Sequence, residues 1–266
     1  MAEVTAKDVQ ELRKATGAGI LDARRALVEN AGDFDAAVRW LREQGLAGAS
    51  KRQDRERAEG AVSVVVTGGG RLGAVVALEC ETDFVAKSAD FVRLVDTLAE
   101  GLATDGEEAL KAASAEVEEL QITLKENIAV GRHERFEAGE GALLESYLHV
   151  QNGRGVNGVL IEVAGASAEV AHDIAVHIAF ARPEYLRRED VPADVIAQER
   201  ATVEAIARNE GKPESQLDKI VEGRMNGFFR ERVLLEQPFA KDEKKTVAQV
   251  LGSGEIRRFA QVVTGA

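Results

Sequence analysis

The segment that decides the fold is Glu79-Cys80-Glu81-Thr82-Asp83-Phe84-Val85-Ala86-Lys87. An apolar run from Leu72 to Leu78 precedes it, and this run is too short for a free-standing helix, so it predicts a buried strand. After the segment, Ser88 is a candidate N-cap for an amphipathic helix whose apolar residues are Phe91, Val92, Val95, Leu98, Ala99 and Leu102. Asp83 and Phe84 are therefore expected in a loop or short turn between a core strand and a core helix.

The pair Asp83-Phe84 has two interpretations. A carboxylate beside a large aromatic ring, presented by two rigid elements, suits insertion into the cleft of a partner. The alternative is structural, with Phe84 filling the local core and Asp83 capping a turn. Most such pairs are structural, so spacing alone favours the second interpretation.

Composition limits the classes of function. The 266 residues allow one large or two to three small domains, and a hydrophobic content of 45% is ordinary for a globular protein with a core. A net charge of -12 argues against binding to a phosphate backbone and favours a protein partner over a nucleic acid. The single cysteine, Cys80, excludes an intrachain disulfide and fits a reducing compartment.

Targeting signals are not expected. The N-terminal Met-Ala-Glu-Val-Thr has no basic region followed by an apolar one, which predicts the absence of a signal peptide. No apolar run approaches the roughly 18 residues of a membrane-spanning helix. The sequence therefore predicts a cytoplasmic protein with neither a membrane nor a nucleic acid as partner.

Residues 1–45 predict a compact bundle of three helices, similar to the ubiquitin-associated (UBA) type. Thr5 and Asp8 form an approximate capping box at the first helix, and two nearby glycines, Gly17 and Gly19, end it. The third helix is expected to stop at Gly45.

Two apolar residues, Ile20 and Leu21, open the second helix directly after the glycine turn. They are either core residues or an exposed apolar edge kept for a partner, and the sequence leaves both alternatives open.

Residues 46–60 predict a charged linker and the domain boundary, because basic and acidic residues alternate there. That alternation favours a solvated linker over an RNA-binding segment.

Beyond the linker, one order of elements occurs twice: a strand, a glycine-rich turn, a strand and a helix. The first turn is at 68–70 and the second at 151–155. The pattern predicts an α+β fold with a duplicated core, the first subdomain at 61–140 and the second at 141–266. Residues 107–128 between the two copies are expected to be helical.

The second subdomain contains a predicted insertion at about 194–229. Two helical patterns, 194–209 and 214–229, are separated by Gly211-Lys212-Pro213, which is typical of an antiparallel helical hairpin. The apolar stripe of each helix is narrow and its flanks are charged, which indicates a projecting coiled-coil arm.

The polar residues give little support to an enzyme site. His172 and His177 are five residues apart, a poor helical pairing for a metal, and the glycine runs lack the Lys-Ser/Thr of a phosphate-binding loop. Glu79, Glu81 and Asp83 alternate, so a strand would carry them on one face; a carboxylate-based metal hydrolase is the enzyme alternative. The favoured prediction has no catalytic residue, cofactor or metal.

Three motifs in order along the chain resemble those of the bacterial elongation factor Ts family. The first is Leu12-Arg13-x-x-Thr16-Gly17-Ala18-Gly19-Ile20-Leu21-Asp22. The second is Cys80-Glu81-Thr82-Asp83-Phe84-Val85-Ala86, and the third is Leu234-Leu235-Glu236-Gln237-Pro238-Phe239. The resemblance covers nearly the whole chain, and the ordered occurrence of three motifs makes it specific.

The resemblance implies a guanine-nucleotide exchange factor, not an enzyme, that binds GDP-loaded elongation factor Tu and promotes the release of GDP. Asp83 and Phe84 are expected to enter the GTPase and disturb its magnesium and nucleotide site. The other residues that the resemblance places at the interface are Thr82, Arg13, Ile20, Leu21, Arg24 and His149. A homodimer or a 2:2 complex stays open.

Two positions depart from the family pattern. Arg24 stands where the family usually has lysine, which keeps the charge but changes the hydrogen-bond geometry. Lys125 replaces a glycine common before Glu-Asn-Ile, which puts a backbone contact there in question.

The alternative from another class of function is a ubiquitin-like-binding adaptor. The N-terminal bundle suggests it, but it leaves the motif at 80–86 unexplained.

Overall fold

A computed structural model describes residues 4–265, apart from the side chain of Leu46. Four residues lie outside this range. Three of them begin the predicted bundle and the segment assessed as a signal peptide, and the fourth is the last residue of the second predicted subdomain. Within it the chain has an α+β fold, as predicted. The helices are α1 Ala6–Thr16, α2 Ile20–Glu29, α3 Phe34–Ser50, α4 Asp83–Ala86, α5 Ala89–Asp105, α6 Glu107–Ala112, α7 Ser114–Leu124, α8 Ala168–Ala181, α9 Ala193–Asn209, α10 Glu214–Arg232 and α11 Val247–Leu251. The strands are β1 Glu59–Thr67, β2 Leu72–Cys80, β3 Ala129–Glu137, β4 Ala142–Gln151, β5 Arg154–Ala164, β6 Pro238–Phe239, β7 Asp242–Thr246 and β8 Glu255–Val263.

Helices α1, α2 and α3 pack around a small apolar core. Its buried residues are Val9, Leu12, Ala23, Ala26, Leu27 and Ala37. The predicted capping box between Thr5 and Asp8 is present at the start of α1. Gly17 ends that helix in the left-handed conformation, with φ 67°, and its N–H donates to the carbonyl of Arg13.

The prediction that the third helix stops at Gly45 is wrong, because α3 continues to Ser50 through the first part of the predicted linker. The glycine marks a close approach between helices. A Cβ atom at Gly45 would lie 2.4 Å from the Ile122 side chain of α7, so a larger residue would push the two helices apart. Residues 51–58 then form turns and irregular chain up to β1.

Two antiparallel three-stranded sheets form the body of the molecule. The first has the strand order β1-β2-β3 and packs against α5; the second has the order β4-β5-β8 and packs against α8. A third apolar cluster lies where the two sheets face each other: Val62, Val75, Ala77, Phe136, Ala138, Leu144, Leu160, Ala260 and Val262. Both sheets thus contribute one face to a shared core.

The predicted helical segment at 107–128 is confirmed up to Leu124, as two helices, and is wrong for residues 125–128. Helices α6 and α7 meet at Ala113, and α7 ends at Leu124, with Lys125 as its left-handed C-cap at φ 58°. Just beyond the helix, the backbone N–H of Asn127 donates to the Glu81 carboxylate, 2.7 Å away. The chain continues into β3, a strand that the sequence reasoning missed.

Helices α9 and α10 pack against each other as a hairpin joined by residues 210–213. Their buried side chains form a cluster of their own, which includes Val203, Val221 and Met225. At the base of the hairpin, the guanidinium groups of Arg188 and Arg232 lie over Phe229 and Phe228 at 4.4 and 5.0 Å from the ring centroids. None of the helices within residues 4–265 is both long and apolar enough to cross a membrane.

Removal of the outer part of this hairpin is expected to leave the body folded, because the packing of that part is internal to the hairpin. The side chains of Arg200 and Glu222 are joined by an ion pair of 2.6 Å, so a short glycine-serine linker can replace residues 201–221. Circular dichroism is expected to show cooperative melting close to that of the full chain. As a matched comparison, Phe229→Ala at the base is expected to cost about 3 kcal/mol. Loss of the cooperative transition in the shortened chain would show that the outer hairpin is required for folding.

Candidate functional site

The candidate site is built on a single turn of helix, which we call the 82–87 turn. Strand β2 ends at Cys80, and Thr82 is the N-cap of α4, with its hydroxyl accepting from the N–H of Val85 at 3.4 Å. Val85 and Ala86 pack into the core beneath α5. Phe84 points away from that core and is 82% exposed. The structural interpretation, in which Phe84 fills the core, is therefore wrong.

Carboxylates from neighbouring segments fasten the N-terminal side of the 82–87 turn. One oxygen of Glu126 accepts from the backbone N–H groups of Glu81 and Thr82, at 3.0 and 3.1 Å, and the other accepts from the Thr82 hydroxyl at 2.5 Å. Glu81 in return accepts from the backbone N–H of Asn127. Hydrogen bonds to carboxylates are stronger than neutral ones, so this reciprocal set holds the turn in one position. Sequence reasoning missed the role of Glu126.

Asp83 is the charged member of the exposed pair. Its carboxylate accepts from Lys87 one turn later, and this hydrogen bond, more than the charge of Lys87, holds the pKa of Asp83 below its usual value. Asp83 is consequently ionised at neutral pH. The turn therefore presents a carboxylate and an aromatic ring side by side to solvent.

The three alternating carboxylates do not converge on one point. Glu79 pairs with Arg57 at 3.1 Å, Glu81 with Arg55 at 3.4 Å, and Asp83 with Lys87. Within the described part of the chain, no group of three or more His, Cys, Asp or Glu side chains is placed to hold a metal ion. The arrangement that the metal-hydrolase alternative requires is absent from these residues.

Cys80 lies beneath the turn as a buried thiol. Its burial, followed by the negative charge of Glu126, raises the pKa of Cys80 to about 12. Its Sγ donates to the carbonyl of Thr82 at 3.2 Å. A thiol that stays protonated at neutral pH is a poor nucleophile, so Cys80 has a packing role here.

A second exposed surface lies on the N-terminal bundle. Ile20 is 58% exposed and Leu21 79%, so the structure settles the open alternative in favour of an exposed apolar edge. Arg13 donates from Nε to the carbonyl of Ala18 at 3.2 Å, which holds the glycine turn in place. Arg13, Ile20 and Arg24 line one shallow cleft between α1 and α2.

The remaining predicted site residue, His149, lies exposed on β4 of the second sheet. Its Nδ1 is 3.4 Å from the hydroxyl of Tyr147. It lines a cleft together with Arg154 of β5 and Phe180, an α8 residue that is itself highly exposed. Sequence reasoning did not single out Arg154 or Phe180. The predicted site residues thus fall on three places: the 82–87 turn, the bundle and the second sheet.

Comparisons with known proteins agree with the three-motif resemblance. The family model described as "Elongation factor TS" matches residues 81–266. Proteins named elongation factor Ts from Symbiobacterium thermophilum and Renibacterium salmoninarum are 43% and 44% identical to this chain, over all of it and over 93% and 100% of their own lengths. One from Paenarthrobacter aurescens is 44% identical over 98% of this chain and 97% of its own length. These matches place the chain among the translation elongation factors. Within that class it belongs to the elongation factor Ts family.

Proposed function

We propose that this protein is the guanine-nucleotide exchange factor of elongation factor Tu, and that the 82–87 turn opens the nucleotide site of that GTPase. The observation that carries the proposal is the exposure of Phe84 on a turn that Glu126 fastens to the body. An aromatic ring of this kind costs little conformational entropy on docking, because its backbone is already ordered. The carboxylate of Asp83 beside it suits a site that contains a magnesium ion and charged phosphates.

The turn acts by making contacts that differ between two states of the GTPase. A factor promotes release of GDP only if it binds the nucleotide-free GTPase more tightly than the GDP-bound one. A rigid aromatic wedge meets this requirement when the space it occupies exists only after the magnesium site has been disturbed. Residues Arg13, Ile20, Leu21 and Arg24 of the bundle, and His149 of the second sheet, are proposed to supply affinity that is similar in both states.

The finer architecture also belongs to this proposal. The bundle at residues 1–45 is proposed to be UBA-like, joined through the charged segment 46–60 to a duplicated core at 61–140 and 141–266. The hairpin at about 194–229 is proposed to be a coiled-coil arm. The site of action is proposed to be the cytoplasm, with the factor acting as a homodimer or in a 2:2 complex with the GTPase.

The direct test is to mix the full chain with elongation factor Tu loaded with fluorescent GDP and follow the release of nucleotide in excess unlabelled GDP. Catalytic amounts of the protein are expected to accelerate release. Absence of acceleration, together with binding to a ubiquitin-like protein, would favour the adaptor alternative. The bundle alone supports that alternative, and it leaves the exposed Asp83-Phe84 pair without a role.

The double change Ile20→Ala with Leu21→Ala is expected to weaken binding to elongation factor Tu by about 1–3 kcal/mol, because two apolar contacts of the bundle are lost. The melting temperature is expected to stay nearly unchanged, since both side chains are exposed. Isothermal titration and thermal melting give the two values. Val28→Ala, an equally exposed change on the same helix outside the cleft, is the control and is expected to leave affinity unchanged. A large loss of stability with unchanged affinity would contradict the assignment of this edge to the interface.

A further inference from the structure

The 82–87 turn is held from its other side by a buried arginine of the second sheet. Arg154 opens β5 directly after the tight turn at Asn152 and Gly153, both of which have positive φ. The residue is only 8% exposed, yet its side chain crosses to the first sheet. One terminal nitrogen donates to Glu59 of β1 at 2.6 Å, and the other donates to the backbone carbonyl of Asp83 at 3.4 Å.

The backbone next to Arg154 leaves this side chain little freedom. A Cβ atom at Gly155 would lie 2.2 Å from the carbonyl oxygen of Val62, so β5 approaches β1 as closely as a residue without a side chain permits. The guanidinium group lies in this closely packed region between the sheets, and its Nε has no hydrogen-bond partner among the described residues. A buried N–H without a partner costs free energy. The presence of an arginine here despite that cost indicates that the two hydrogen bonds of its terminal nitrogens stabilise the structure.

We propose that Arg154 is a positioning residue for nucleotide exchange. By bridging Glu59 and the Asp83 carbonyl, it ties the 82–87 turn to the second sheet and holds Phe84 in the orientation that exchange requires. This inference rests on the proposed exchange function for its kinetic consequence. The tether itself is independent of it. Glu126, in the connection between α7 and β3, holds the start of the turn, and Arg154 of the second sheet holds the Asp83 carbonyl. The turn is therefore fixed from two sides.

Arg154→Met in the full-length protein is expected to loosen the turn. The amide of Lys87 donates to the same Asp83 carbonyl at 3.2 Å, so its hydrogen exchange is expected to become faster by about fivefold as the turn opens locally. The matched control is Arg135→Met, because Arg135 of β3 also joins one carboxylate, that of Glu137, and one backbone carbonyl, that of Ala103 in α5. The control is expected to leave exchange at residues 83–87 unchanged. Unchanged exchange at Lys87 in Arg154→Met would overturn the tether, whatever the protein does to elongation factor Tu.

The kinetic arm measures the maximal rate of GDP release from elongation factor Tu at saturating factor. Arg154→Met is expected to lower it about tenfold and to add little in a Phe84→Ala background, because a residue that acts through Phe84 cannot act without it. Arg154→Lys, which keeps the charge but cannot bridge both partners, is expected to be intermediate and serves if the methionine variant does not fold. An unchanged rate, or an effect that multiplies with that of Phe84→Ala, would overturn the positioning role. No acceleration by the wild-type protein would instead refute the proposed function, with the exchange measurement still deciding the tether.

Discussion

Phe84→Ala is expected to lower the maximal rate of GDP release by about 30-fold or more, equivalent to the loss of about 2 kcal/mol of contact in the nucleotide-free complex. The physical reason follows from the proposed mechanism, in which the ring gains its contact with the GTPase as the nucleotide site opens. Thermal stability is expected to be unchanged, because the side chain is exposed and leaves no cavity in the core. Stopped-flow release of fluorescent GDP at saturating factor gives the rate without interference from affinity.

The control for this prediction is Ile20→Ala, which removes an exposed apolar side chain on the bundle. It is expected to raise the concentration of factor needed for half-maximal exchange and to leave the maximal rate largely intact. A maximal rate for Phe84→Ala equal to that of the wild type would rule out the wedge mechanism.

Glu162→Gln is expected to destabilise the fold by about 2 kcal/mol near neutral pH, because it removes the charge that two arginines surround. Glu162 of β5 is buried and accepts from Arg258 at 2.7 Å, from the backbone N–H of Gly139 at 2.8 Å and from Arg257 at 3.5 Å. The same arginines donate to backbone carbonyls of the β3–β4 connection, at Glu137 and Glu140. The carboxylate therefore joins the second sheet to the segment that leads from the first.

The pH dependence of the free energy of unfolding distinguishes the loss of the Glu162 charge from other causes of destabilisation. Burial alone would raise the pKa of Glu162, but the Gly139 N–H and the two arginines outweigh burial and hold the pKa below the ordinary value of 4.5. A lowered folded-state pKa gives stability that is fully present above pH 4.5 and is lost as the pH falls through the folded value. The difference between wild type and Glu162→Gln, from chemical denaturation, is thus expected to be largest above pH 4.5 and to shrink below it.

Glu255→Gln is the matched control for Glu162→Gln. Glu255 also pairs with arginines at the end of the same sheet, but its side chain is mostly exposed, so its removal is expected to change the free energy of unfolding by less than about 1 kcal/mol. Equal destabilisation by the two changes, or a difference for Glu162→Gln that does not depend on pH, would contradict a special role for the buried carboxylate.

Local sequence signals predicted much of the fold. The capping box at Thr5, the apolar run of β2 and the turn at Gly68–Gly70 specify their elements without help from the rest of the chain. Strand β3 was missed because four of its nine residues are charged and most are only partly buried, and it becomes a strand by pairing with β2. Gly45 was wrongly predicted to end a helix. Glycine is needed there because the side chain of Ile122 packs against it, and Ile122 is distant in the sequence.

The site shows the same division between local and distant causes. The sequence predicted a short turn carrying Asp83 and Phe84, but spacing could not decide whether the ring faces the core or solvent. That depends on Val85 and Ala86 filling the space beneath α5. The hydrogen bonds that the Glu126 carboxylate accepts and Arg154 donates join residues more than 40 positions apart, so no local pattern reveals them. Lys125 is a partial exception: its left-handed conformation favours glycine, the residue that the family resemblance implies at this position.

The most direct test of the wedge mechanism is the thermodynamic coupling between this protein and GDP on elongation factor Tu. The factor by which the protein weakens GDP must equal the factor by which GDP weakens the protein. Isothermal titration of the protein into nucleotide-free and GDP-bound elongation factor Tu gives this factor as the ratio of the two dissociation constants. For Phe84→Ala the ratio is expected to fall toward one, because affinity is lost mainly in the nucleotide-free state, whereas Ile20→Ala is expected to weaken both states and keep the ratio. An unchanged ratio for Phe84→Ala would contradict the claim that the exposed ring drives GDP release.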